Sequence, residues 1–261
     1  MMGHSHATTG AAAWVAVTAT VPGALGLVPL SPAEILAGAV VTAGAALLPD
    51  VDHHSGTIAH SLPPVSRWVT RWVGDISGGH RRGTHSLLGI LAFGLLARAL
   101  STVRVPIGGE EFQLGAWLMI ILLVAFAAKA LHLTRGRLSS WLVAIVTAFA
   151  ATWFAPETTW WLPASVVLGC AVHVVGDALT VDGVPPFWPA RPRPLVASPL
   201  WQRNGHFALP VLGPAGSKRE WVLISAVDLY LVYVTGMTVL EGARAWTGGP
   251  GPTAMSTNLL G

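Results

Sequence analysis

Histidine and aspartate recur together along this 261-residue chain, and that pairing is its first chemical signal. The segment Leu47-Leu48-Pro49-Asp50-Val51-Asp52-His53-His54 sets two carboxylates and two imidazoles where an apolar run stops. Imidazole with carboxylate suits zinc, manganese or iron, whereas calcium and magnesium prefer oxygen alone. Aspartate at a helix C-terminus also opposes the macrodipole and calls for compensation. A second segment, His80-Arg81-Arg82-Gly83-Thr84-His85-Ser86, offers Thr84 as an N-cap, with His85 in the first helical turn and His80 in the loop before it. The positive dipole end there favours the neutral imidazole that binds metal. In a third, His173 and Asp177 stand one helical turn apart and share a face of an apolar run. Ionisable groups inside a membrane segment are functional candidates by default. His6, just before the first apolar run, joins them and is preferred to the more distant His4.

Each cluster has a blander reading. Residues 50–54 could be a solvated helix end, 80–86 a loop that meets lipid phosphates through Arg81 and Arg82, and His173 with Asp177 a buried pair that satisfies itself. Asp228, His132, His54, His60 and His206 read as structural or solvated. No rival nucleophile competes: the chain has no Gly-x-Ser-x-Gly, no phosphate-binding glycine loop and no His-Glu-x-x-His. Ser86 beside His85 makes no dyad, because adjacent side chains diverge. A metal-activated water is the simplest nucleophile left.

The elements that must position these residues are membrane helices. Hydrophobic residues make up 52% of the chain and charged ones 10%, with a positive mean hydropathy of +0.60. That balance lies outside the range of soluble domains. Apolar runs long enough to be spans, at about 20 residues each, fall at 10–30, 33–49, 84–103, 114–132, 138–156, 160–180 and 221–241. The fold class expected is all-α, a polytopic transmembrane bundle of seven spans within a single domain over 1–246, followed by a disordered tail at 247–261 rich in Gly, Pro, Ser and Thr. The first run is weakened by Pro22, Gly23, Gly26 and Pro29. Two polar stretches, 50–83 and 181–220, interrupt the runs. Twelve Trp against two Tyr suit helix ends in the interfacial zone. The N-terminus lacks the basic start of a signal peptide and reads as retained. Cys170, the sole cysteine, permits no intrachain disulfide.

Counting crossings brings the four clusters together. If the N-terminus lies on side X, then His6, Asp50, Asp52, His53, His80, His85, His173 and Asp177 all fall on X. Arg98, Arg104 and Arg244 fall on the far side and the remaining Lys and Arg on X, which makes X the cytoplasmic face. The net charge of +3 is explained by that bias, and no nucleic-acid partner is expected.

At these residues the chain resembles the YdjM-like family of integral membrane proteins, described as membrane-bound metal-dependent hydrolases. The resemblance rests on Leu-Leu-Pro-Asp-Val-Asp-His at 47–53, His-Arg-Arg-Gly-Thr-His-Ser-Leu-Leu at 80–88, His173 with Asp177 and Thr180, Gly-Val-Pro-Pro-Phe-Trp-Pro at 183–189 with Arg193, and His6 with Gly10. It implies an integral protein of the plasma membrane that hydrolyses its substrate at a divalent metal, zinc first, then manganese or iron, with one or two ions. A helical His-x-x-x-Asp is also distantly similar to zinc phospholipase C enzymes, which suggests a membrane lipid or another phosphate-containing anion as substrate. Eight candidate ligands exceed the four that one zinc takes, so some serve as orienting partners or a second ion is held. Asp52 is the expected general base if it does not bind metal, and Arg81 and Arg193 are expected to hold an anionic substrate. The alternatives are a metal-binding transporter, whose site would sit nearer mid-membrane, and a structural membrane protein in which the cluster only ties helices together.

Overall fold

The computed structural model describes residues 1–134, 136–155, 158–196 and 198–248, so the tail expected at 247–261 lies almost wholly outside the described residues. Among those described are eight α-helices: α1 (Gly3–Thr18), α2 (Pro32–Ala45), α3 (Val65–Ser77), α4 (Leu87–Ser101), α5 (Leu114–Ala130), α6 (Arg137–Phe154), α7 (Thr158–Ala178) and α8 (Lys218–Trp246). A short antiparallel hairpin, β1 (Val105–Ile107) with β2 (Glu110–Phe112), joins α4 to α5.

Every apolar run carries a helix, and among the described residues 32–52, α7 and α8 are long and apolar enough to cross a membrane by length and composition; α4, α5 and the apolar part of α6 are shorter. The chain is a mostly helical protein with three candidate spans among the described residues. The first run also differs from expectation. Its helix begins at Gly3, not near residue 10, and stops at Thr18, ahead of Pro22 and Gly23. Hydropathy alone misplaces this start, because Ser5, His6 and Thr8 are polar yet buried.

Local signals explain the other boundaries. Ser31 accepts from the Glu34 N–H while Glu34 reaches back to Ser31, a capping box with Pro32 at the first helical position of α2. Beyond α2 the chain tightens into a 3-10 turn, Leu48–Asp52, which carries the first Asp pair. Thr84 is not the cap of α4. Its hydroxyl is turned toward Asp52, and Ser86 caps α4 by accepting from the Gly89 N–H, leaving His85 in a separate 3-10 turn, Gly83–His85.

Lipid tails are as apolar as leucine, so membrane helices associate through close packing and small residues. A Cβ on Gly10 of α1 or Gly169 of α7 would lie 2.8 Å from the Thr42 carbonyl oxygen. These two glycines let α1 and α7 close on α2 from different sides. The buried core around them includes Trp14, Val15, Leu47, Ile120, Leu123, Trp161 and Leu162. The stretch 179–217 folds back over the end of the bundle that carries Asp50 and His85. Val184 and Phe207 exchange backbone hydrogen bonds of 3.0 and 2.8 Å, and the Leu87 N–H donates to the Pro186 carbonyl at 3.0 Å.

Candidate metal centre

The helix packing delivers His6 from α1, Asp50 and Asp52 from the turn after α2, His80 and His85 from the segment before α4, and His173 and Asp177 from α7 to one place. At its centre four ligand atoms face one another. His85 Nε2 lies 3.1 Å from His173 Nε2, 3.5 Å from Asp50 Oδ1 and 3.6 Å from Asp177 Oδ2. His173 Nε2 lies 3.8 Å from Asp50 Oδ1 and 3.6 Å from Asp177 Oδ2. A tetrahedral ion with ligand bonds of about 2.0–2.2 Å needs ligand-to-ligand edges of roughly 3.3–3.6 Å. Five edges of this arrangement thus fall at or within a few tenths of an ångström of that requirement.

Surrounding groups orient these ligands. His173 Nδ1–H donates to the Ala46 carbonyl at 2.7 Å, which leaves the Nε2 lone pair aimed into the cluster. Behind His85, Asp52 Oδ2 lies 3.5 Å from Nδ1, on the side away from Asp50 and Asp177. Asp52 is itself held by the Thr84 hydroxyl at 2.6 Å, the Arg81 N–H at 3.1 Å and His80 Nδ1 at 2.8 Å. This buried carboxylate behind an imidazole is the usual second layer of a metal site. Burial works against a charge on His85, but hydrogen bonding and the charges of Asp50 and Asp52 outweigh it and raise its pKa to about 9.

His6 stacks on His173 with ring centroids 3.6 Å apart, and its Nε2 lies 3.2 Å from Asp177 Oδ1. Its Nδ1 is buried with no hydrogen-bond partner. An orphaned imidazole nitrogen on a ring that also meets the Asp177 carboxylate is the kind of unmet valence a cation satisfies. Among the described residues, groups with ligand spacing recur three times: His6, His173 and Asp177; Asp50, His85 and His173; Asp50, Asp52 and His80. The second group shares a residue with each of the others, whereas the first and third share none, so two ions could be held without a common ligand.

His53 belongs to none of these groups. It stacks on His80 with centroids 4.4 Å apart and meets the Ser55 hydroxyl at 3.2 Å. Burial and the neighbouring His80 hold its pKa below the ordinary value. Arg81 does reach the cluster, but its guanidinium meets Asp177 through Nε and Nη2 and Asp182 through Nη1, all at 3.2 Å. Its backbone is in the left-handed region, φ 56°, the conformation that also aims its N–H at Asp52. Arg193 is exposed in the 179–217 stretch, and among the described residues no hydrogen bond or ion pair joins it to the cluster. The residues that sequence reasoning passed over are Thr84 as a carboxylate partner, Asp182 beside Arg81, and Glu220. Glu220 is buried at the start of α8 and accepts from the Ser5 hydroxyl at 2.6 Å and the Met2 N–H at 2.7 Å, fixing α8 to the start of α1. An acidic residue opening an otherwise apolar helix was the available signal.

Beside the cluster, on the Asp52 and His80 side, lies a crevice of about 680 Å³ lined also by His54, Thr70, Arg71 and Asp75 among others. A second polar crevice of about 510 Å³ is lined by His4, His60, His132 and Lys129. His4, His60 and His132 thus line a crevice other than the one beside Asp52 and His80.

The family model for YdjM inner membrane protein matches residues 1–135 and 135–243. Similar curated proteins are the inner membrane protein YdjM of Escherichia coli (strain K12) and that of Shigella flexneri, each 26% identical over 215 residues, spanning 82% of this chain and 73% of the relative. No solved structure matches.

Proposed function

The chain belongs to the YdjM family of inner membrane proteins, and on that footing we propose that it is a membrane-bound metal-dependent hydrolase of phosphoester or lipid-type substrates. The observation that carries this reading is the set of three facing ligand atoms on Asp50, His85 and His173, 3.1–3.8 Å apart, with Asp177 Oδ2 3.6 Å from both imidazoles. Two imidazole nitrogens and a carboxylate oxygen favour zinc, with manganese or iron next, and three protein ligands leave a coordination position open. An ion held there would supply a water acidic enough to act as nucleophile near neutral pH.

The remaining roles fall to the chain's own residues. Asp52 is buried and fully engaged, so it serves as the positioning residue for His85 and His80 rather than as a free base. His80, whose side chain is 38% exposed at the crevice, is fixed by Asp52 through Nδ1 and presents Nε2 to accept a proton. Arg71 lines the same crevice and is placed to meet an anionic group. Arg81 holds Asp177 and Asp182 and stiffens the cluster. The excess of Lys and Arg on the side that carries the ligands supports a cytoplasmic site.

Elemental analysis of the purified, reconstituted protein tests the reading, followed by assay with phosphodiester and phospholipid probes. Stoichiometric zinc that is lost in His85→Ala and Asp177→Ala, with hydrolysis lost in parallel, is the expected result. Wild-type protein without stoichiometric metal would overturn the assignment, and metal without turnover would favour a metal-handling role.

A further inference from the structure

α3 is the one helix that no apolar run announced, and its side chains divide into three sectors. At roughly 100° per residue, Val65, Trp68, Trp72 and Ile76 share an arc of about 80°. Val69, Thr70, Val73 and Ser77 occupy a second arc and Arg67, Arg71 and Asp75 a third. The second sector is packed: Thr70 and Ser77 are buried, Val69 and Val73 lie against the core, and a Cβ on Gly74 would stand 3.1 Å from the Asp52 carbonyl. The charged sector is exposed, and Arg71 and Asp75 line the crevice beside Asp52 and His80.

The first sector is exposed too, and it is apolar. Val65 is 57% accessible, Trp68 66%, Trp72 53% and Ile76 58%, and the two indoles stack with centroids 6.5 Å apart. Such a stripe is unfavourable in water. α3 packs chiefly on the 48–52 and 83–85 turns, at the end of the bundle where the spanning stretch 32–52 finishes. A membrane protein therefore carries this stripe at a membrane face, where indole rings settle at headgroup depth and arginines meet lipid phosphates.

We infer that α3 is an in-plane helix that beds Val65, Trp68, Trp72 and Ile76 in the headgroup–acyl boundary of the protein's own membrane, and so holds the mouth of the Asp52–His80 crevice at headgroup level. Protein packs one sector, lipid takes the second, and water and phosphate meet the third. The further consequence, that the crevice receives a lipid headgroup rather than a freely soluble phosphoester, rests on the proposed function; the placement of α3 does not.

Spin labels test the placement directly, because Cys170, the sole native cysteine, can be replaced by alanine. Single cysteines at Trp68, Trp72 and Ile76, and for comparison at Arg67 and Asp75, are labelled and reconstituted in bilayers. All five replaced side chains are exposed, so the fold does not rest on them. Collision with oxygen, which concentrates in lipid, is compared with collision with a water-soluble nickel chelate. The oxygen-to-nickel ratio is expected to be several-fold higher at 68, 72 and 76 than at 67 and 75. Equal ratios at all five positions would place the stripe in water and overturn the inference. Low access to both reagents at 68, 72 and 76 would mean that protein, such as a second copy of the chain, covers the stripe, and would overturn it as well. Neither readout depends on bound metal or turnover, so failure here is distinct from failure of the hydrolase reading.

Discussion

Replacing Thr84 by valine removes one oxygen from the proposed centre and no ligand atom. The Thr84 hydroxyl donates to buried Asp52 at 2.6 Å and lies 3.0 Å from His85 Nδ1, and a hydrogen bond to a charged acceptor contributes about 1.5–3 kcal/mol. Asp52 keeps the Arg81 N–H and His80, so its carboxylate stays in place but is less firmly aimed at His85. Loss of such outer partners weakens metal binding about 10–100-fold, which at about 1.4 kcal/mol per tenfold corresponds to roughly 1.4–2.8 kcal/mol. The two routes agree, so Thr84→Val is expected to bind zinc about 10–100-fold more weakly than wild type. Competition against a chromophoric chelator at fixed pH measures this. Thr42→Val is the control, since the Thr42 hydroxyl is buried without a partner and its loss should leave zinc affinity unchanged. A Thr84→Val protein that binds as tightly as wild type, or a Thr42→Val protein that loses as much, would refute the role of Thr84 in holding Asp52 and His85.

Two further outcomes follow from the same geometry. His85 has its pKa raised from 6.5 to about 9, so its proton stabilises the metal-free fold fully below pH 6.5, and that contribution is lost as pH rises through 9. A metal must displace the proton, so zinc affinity should climb over the same interval while the metal-free melting temperature falls; a metal-free melting temperature that rises between those limits would count against it. Gly169→Val drives its side chain toward the Thr42 carbonyl, Ala45 Cβ and Ala46 N, each 2.8 Å from the point where a Cβ would stand. It should cost about 1–3 kcal/mol and reduce zinc binding, whereas Gly236→Ala, with nothing within 4 Å, should melt as wild type does. Equal melting temperatures for the two would defeat the packing argument.

The helices were legible because apolar runs mark them whatever their partners are. Their ends were less so. The start of α1 depends on Glu220 and Asp177, more than 170 positions away in sequence, which convert Ser5 and His6 from solvent-seeking to buried. Hydropathy reports apolarity along the chain but not where a helix ends, as α4 does at Ser101. α3 escaped notice because its apolar residues are spaced for one narrow face and diluted by charge. Within the cluster, residue type picked out most of the groups that the fold gathers, while roles within it required distances. Nothing in the spacing of Asp50 and Asp52 says that one faces His85 Nε2 and the other Nδ1. Likewise the sequence offers Arg81 as a free cation, and only the fold supplies Asp182 to occupy it.

The Ala46 carbonyl that receives the His173 proton is one of those left over where α2 ends. Cys170, one turn earlier on α7, approaches the neighbouring Ala45 carbonyl at 3.6 Å. The unpaired end of one helix thus acts as a gauge for the other. Sliding α7 along α2 by a single residue, about 1.5 Å, would carry both side chains off their carbonyls and turn His173 away from His85. An ion held between these helices would therefore lock their axial register, and its arrival or loss would be felt along the lengths of α2 and α7 as well as at the crevice.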